Sequence, residues 1–170
     1  MIRSALRQRL CDLGWGLWSQ LGVSEWSDQH RCWFVDPEPL ILFTAWLGDS
    51  DARLRDEATD WCVQFGSLAS GTRLTNLLEG TSCDTRSGFG EFAATVREHS
   101  AVRWRGATTP RSFVPTGRSR LESTAAPSRL SLRLRTIFGV SARAELIRLL
   151  ICSDPIPQVA GATEPPQIHL

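Results

Sequence analysis

At 170 residues with 42% apolar content, the chain is long enough to close one core, with or without an appendage. Five cysteines (Cys11, Cys32, Cys62, Cys83 and Cys152), an odd number with no C-x-x-C pair and no matching histidine spacing, indicate neither a disulfide framework nor a zinc site, and reduced thiols, mostly buried, are the simplest account. The formal charge of +1 hides an asymmetry: residues 1–100 hold nine Arg against fourteen Asp and Glu, whereas residues 101–148 hold ten Arg against two Glu.

In chain order, Ile2, Leu6, Leu10, Leu13, Leu17 and Leu21 recur at spacings of three and four and predict a first helix. Arg3, Arg7, Arg9 and Asp12 run through it, so it suits neither a signal peptide nor a membrane span, and a cytoplasmic location is expected. Gly14 and Gly16 predict either a break or a close helix crossing, with Trp15 and Trp18 as core anchors beside it. Residues 22–32 read as a connection. They hold Asp28, His30 and Cys32, the one grouping that could serve a cysteine nucleophile, but residues two apart point to different sides of a helix. A polar loop beside buried Trp26 and Trp33 is the simpler reading.

From Trp33 to Gly66 the signals agree on two helices. Asp36 is a good N-cap, Pro37 suits the first helical position, and Glu38 suits the positive first turn. Leu40 to Leu47 is almost wholly apolar and must be covered on nearly all sides, Trp46 included. Gly48 stops it, and Asp49, Ser50 or Asp51 caps a second helix with Leu54, Ala58, Trp61 and Phe65 inward and Gly66 as its C-terminal glycine. A further helix follows to Gly80, begun by Ser70 or Thr72, with Leu74, Leu77 and Leu78 inward. Its Arg73 and Asn76 are residue types that read bases, but the helix before it is acidic and would repel phosphates. Residues 81–90 look like a loop, and Phe89, Phe92, Ala93 and Val96 mark a fifth helix with His99 in its last turn.

Residues 101–129 change texture, with Pro110, Pro115 and Pro127 among Ser, Thr, Gly and Arg, which is the composition of a basic linker. Its arginines (Arg103, Arg105, Arg111, Arg118, Arg120 and Arg129), together with Arg133 and Arg135 beyond it, are the candidate nucleic-acid-binding residues, able to track a phosphate backbone. Leu130, Leu132, Leu134, Ile137 and Phe138 lead to Gly139 and then to a compact helix from Ser141 to Cys152. In that helix Ala142, Leu146, Leu149 and Leu150 face one way, and Arg143 and Arg148 face another.

The run Leu132 to Ile151 resembles the entry to a winged helix-turn-helix of uncharacterised bacterial regulator-like proteins, and Asp36 to Thr44 is similar to their helical N-terminal part. The resemblance implies a second helix, a recognition helix and a wing downstream. Residues 153–170 instead carry Pro155, Pro157, Pro165 and Pro166, so a disordered tail and a shortened or frameshifted regulator are expected.

The sequence thus predicts an all-α protein: an irregular bundle of about five helices over residues 1–100, a basic linker at 101–129, a short C-terminal helical segment at 130–152 and a tail at 153–170. No phosphate loop, dinucleotide fingerprint or nucleophile motif is present, so neither an enzyme nor a cofactor is expected. An interaction or regulator-like protein with a protein partner or a second copy is the leading expectation, DNA binding through the basic segment the alternative, and a Cys/His enzyme a distant third.

Overall fold

The computed structural model describes residues 2–23, 35–121 and 127–153. Among them are seven α-helices and no strand: α1 (Ile2–Leu21), α2 (Pro37–Leu47), α3 (Ala52–Phe65), α4 (Gly71–Glu79), α5 (Cys83–His99), α6 (Leu130–Phe138) and α7 (Ala142–Cys152). None is long and apolar enough to cross a membrane. Asp28, His30 and Cys32, with Trp26, Trp33 and the expected tail, lie outside the described residues.

The apolar helix α2 is central, packing against α1, α3, α4 and α5. Its start is set by Pro37, whose missing N–H costs nothing in the first turn, and its end by Gly48. Asp36 precedes the helix without capping it, its carboxylate being taken by Arg73 of α4. Asp51 does cap α3, accepting from Leu54 N–H at 2.9 Å. Leu40, Ile41, Ala45 and Leu47 are buried as the sequence predicts, but Trp46 is 45% exposed and lies against Phe43. The correction has a plain cause: four neighbouring helices do not close around α2 at Trp46.

Helix α1 runs unbroken past its glycines. A Cβ on Gly14 would stand 2.9 Å from the Leu54 side chain, so the glycine marks a close crossing with α3. The buried face of α1 overlaps the leucine stripe only in part: Cys11, Gly14, Trp18 and Leu21 are buried, Leu10 and Leu17 are partly buried against the core, and Leu6 is 59% exposed. Trp18 and Trp61 form the centre of the core, with ring centroids 5.3 Å apart. Both indole N–H groups are satisfied, Trp18 by Thr44 Oγ1 at 2.8 Å and Trp61 by the Leu21 carbonyl at 2.9 Å, so neither ring brings an unpaired donor into the interior.

Two further expectations change. Helix α5 begins at Cys83, because Ser82 caps it and Gly88 lies inside it, where a Cβ would be 2.5 Å from the Ala45 carbonyl oxygen. Gly66 closes α3 without a left-handed turn, at φ −62. It is glycine for want of room, since a Cβ would meet Val102 and Trp104 at 3.2 and 3.3 Å.

Residues 101–121, read from composition as a solvated linker, have neither helix nor strand yet lie along the body as a strap. Trp104 is buried against Phe89, and Thr108 N–H bonds the Gly90 carbonyl at 2.9 Å. Asp60 of α3, itself buried, accepts from the backbone N–H groups of Thr116 and Gly117 at 2.6 and 2.8 Å. Arg120 N–H reaches the Gly22 carbonyl at 2.8 Å. The strap therefore spans the body from α5 to the end of α1.

Candidate functional site

The eight candidate arginines divide by what they touch. Arg103 donates to the carbonyls of Arg97, Ser100 and Val102 at the end of α5. Arg111 pairs with Asp56 of α3, Arg120 donates to the Gly117 and Ser119 carbonyls, and Arg129 donates to the Gln20 carbonyl at 2.7 Å. Arg135 is buried among carboxylates. Arg105, Arg118 and Arg133 are exposed with no hydrogen bond or ion pair among the described residues. Arg73, the residue singled out as a base reader on α4, is likewise occupied, by Asp36 and Glu38.

Arg135 is the centre of a buried ionic cluster that joins α6 and α7 to the body. Its side chain is 1% exposed, as Glu38 is at 0%. Its guanidinium bonds Glu38 Oε1 at 2.6 Å, Glu145 Oε1 at 2.7 Å and the Leu68 carbonyl at 2.9 Å. Glu38 also accepts from Ser70 N–H at 2.5 Å and from Arg73 at 3.2 Å, and Glu145 accepts from Arg148 at 3.0 Å. One cluster thus ties α2, α4, α6 and α7 together. Burial and the adjacent Asp36 push the Glu38 carboxyl above the ordinary carboxylate range, with Arg135 and Ser70 pulling against them. Burial would also raise Glu145, but hydrogen bonds from Arg135 and Arg148 outweigh it and hold that carboxyl low. Desolvation would lower Arg135, and Glu38 and Glu145 more than reverse it.

With this cluster on the inside, the outer side of α6 and α7 is apolar. The chain turns between them at Gly139, whose φ of 73 suits glycine. In α7 the inward residue is Ala144, and the stripe of Leu146, Leu149 and Leu150 marked by the sequence faces out, 59%, 55% and 75% exposed. Ile137 of α6 and Ile151 of α7 are exposed as well, at 71% and 60%. That orientation has no periodicity signal of its own, because Leu146, Leu149 and Leu150 mark one helix face whether it meets a core or solvent. An apolar cluster of this kind on a folded chain marks a contact surface more often than a lone exposed leucine does.

No cluster of three or more His, Cys, Asp and Glu side chains among the described residues could hold a metal ion. Cys11 and Cys62 are buried, while Cys83 and Cys152 are exposed. Burial raises the Cys62 thiol well above its ordinary value, and burial with Asp51 and Asp12 nearby raises Cys11, so both are poor nucleophiles. His99 stands edge-on to Phe113 in the last turn of α5. In comparison with known proteins, no family model, curated protein or solved structure matches the chain.

Proposed function

We propose that the chain is a non-catalytic interaction protein, regulator-like in type, in which α1 to α5 form a bundle that acts as a scaffold and α6 with α7 present a docking face to a protein partner. The observation that carries this reading is the apolar face itself, held outward by a buried ionic cluster. A terminal helix pair with no task would be expected to turn its leucines toward the body, where each buried side chain contributes roughly 1.5 to 3 kcal/mol. In α6 Leu132 and Leu134 do so, but in α7 it is Glu145 that pairs inward with Arg135, and Leu146, Leu149 and Leu150 are left for something else. The alternative of DNA binding draws less support, since five of the eight candidate arginines donate to acceptors within the chain.

A photo-crosslinking residue placed at Leu149 in living cells tests the reading. One discrete protein adduct, identified by mass spectrometry and missing when the same residue replaces Leu6, is the expected result. No adduct at Leu149 would sink it. A duplex DNA shift assay that shows tight, steeply salt-dependent binding would favour the alternative.

A further inference from the structure

We propose that the occupant of the α6–α7 face is an amphipathic helix of a partner protein whose apolar stripe is flanked by Asp and Glu; the inference rests on the docking reading above. Leu146, Leu149 and Leu150 stand at i, i+3 and i+4, which is the spacing that receives the apolar stripe of another helix. Charge selects among occupants. Arg133 lies one turn before Ile137 on the exposed side of α6, and Arg143, expected from the sequence on a different face from the leucines, is exposed one turn before Leu146 on their side of α7. Both are exposed and make no hydrogen bond or ion pair among the described residues. Glu145, the one acid between residues 130 and 152, is engaged by Arg135 and Arg148. The face therefore offers apolar surface edged by two available cations, with no available anion on the pair.

A second copy of this chain fits that arrangement poorly. A two-fold contact through the same face would bring Arg133 and Arg143 in twice and supply no free carboxylate for them. An anionic membrane surface fits poorly too, because electrostatic membrane binding usually draws on four to eight clustered cations and the face has two. Acidic flanks on an incoming helix satisfy both arginines while its apolar stripe covers the leucines.

The test uses the full chain and two synthetic helical peptides that share one leucine stripe, one flanked by Glu and one by Lys, read by fluorescence anisotropy from low to high salt. The Glu-flanked peptide is expected to bind at least about tenfold tighter at low salt, an advantage that shrinks as salt screens it. The double variant Arg133→Glu, Arg143→Glu should reverse the order of the two peptides. Leu149→Asp should abolish binding of both while leaving thermal unfolding near wild type, because that position is exposed. Equal binding of both peptides, or preference for Lys, overturns the acidic partner and leaves the docking face standing. Self-association in sedimentation velocity that Leu149→Asp removes assigns the face to a second copy, and Leu149-dependent binding to phosphatidylserine vesicles assigns it to a membrane; either overturns the inference. No peptide binding, no self-association and no vesicle binding would overturn the docking reading along with it.

Discussion

The body and the C-terminal helix pair distribute charge and apolar surface differently. In the body, Trp18, Trp61, Phe89 and Phe92 are buried, and most of the charged side chains lie at or near the surface. In the pair, Arg135 is buried against Glu38 and Glu145 while Ile137, Leu149 and Leu150 are exposed. The body is therefore held mainly by area removed from water. The pair combines buried Leu132, Leu134 and Ala144 with a buried ionic cluster, and that charge costs desolvation and returns geometry more reliably than stability.

That contrast predicts where the molecule breaks. Trp61→Ala should cost about 3 to 5 kcal/mol in chemical denaturation, since it empties the centre of the body and leaves the Leu21 carbonyl without its donor. A loss under about 1 kcal/mol would mean that the core lies elsewhere. Arg135→Ala should cost a similar amount, about 3 to 5 kcal/mol, by leaving Glu38 buried with one partner fewer. Amide exchange should then quicken first in α6 and α7, and uniform loss of protection across the chain would blur the distinction between the regions.

Asp60→Asn sharpens the picture within the body, with an expected loss of about 1.5 to 3 kcal/mol as the strap loses its charge-assisted bonds. It should also change the acid limb. Burial would raise the Asp60 carboxyl, but the N–H groups of Gly117, Thr116 and Ser119 hold it below its ordinary value of 3.8. A depressed folded value means that this stabilisation is complete above pH 3.8 and is lost as the pH falls through the lower, folded value. The asparagine variant should therefore unfold with a shallower acid dependence, and an unchanged limb would remove Asp60 as its source. Trp46→Ala is the smallest effect, about 1 kcal/mol, because the ring is half exposed and loses chiefly its contact with Phe43. A loss as large as that of Trp61→Ala would show that α2 is covered on all sides after all.

Much of the helical architecture was legible because helix ends and apolar periods are local. Pro37, Gly48, Asp51 and Ser70 act within a turn of where they stand. What was not legible depends on partners far along the chain. The strap has no period, and its anchors are backbone N–H groups that carry no residue signature, met by the carboxylate of Asp60 more than fifty residues away. Gly88 resembles a loop residue until the Ala45 carbonyl is seen above it. The arginines of 101–135 look alike in composition, yet Arg135 is buried and Arg133, two residues away, is exposed. Spacing marked the α7 stripe correctly and could not tell which way it faces.

The distance in sequence between Glu38 and Arg135, 97 residues, also sets an order of events during synthesis. At about 5 to 20 residues per second, the ribosome needs on the order of 5 to 20 s after making Glu38 before Arg135 exists to meet it. Arg73, made 35 residues after Glu38, is until then the one cationic partner of the finished cluster that exists, so the nascent body keeps an open seat at this polar interior point. The C-terminal pair thus joins the body as a late arrival, and a chain released before residue 135 would leave a buried acid half answered.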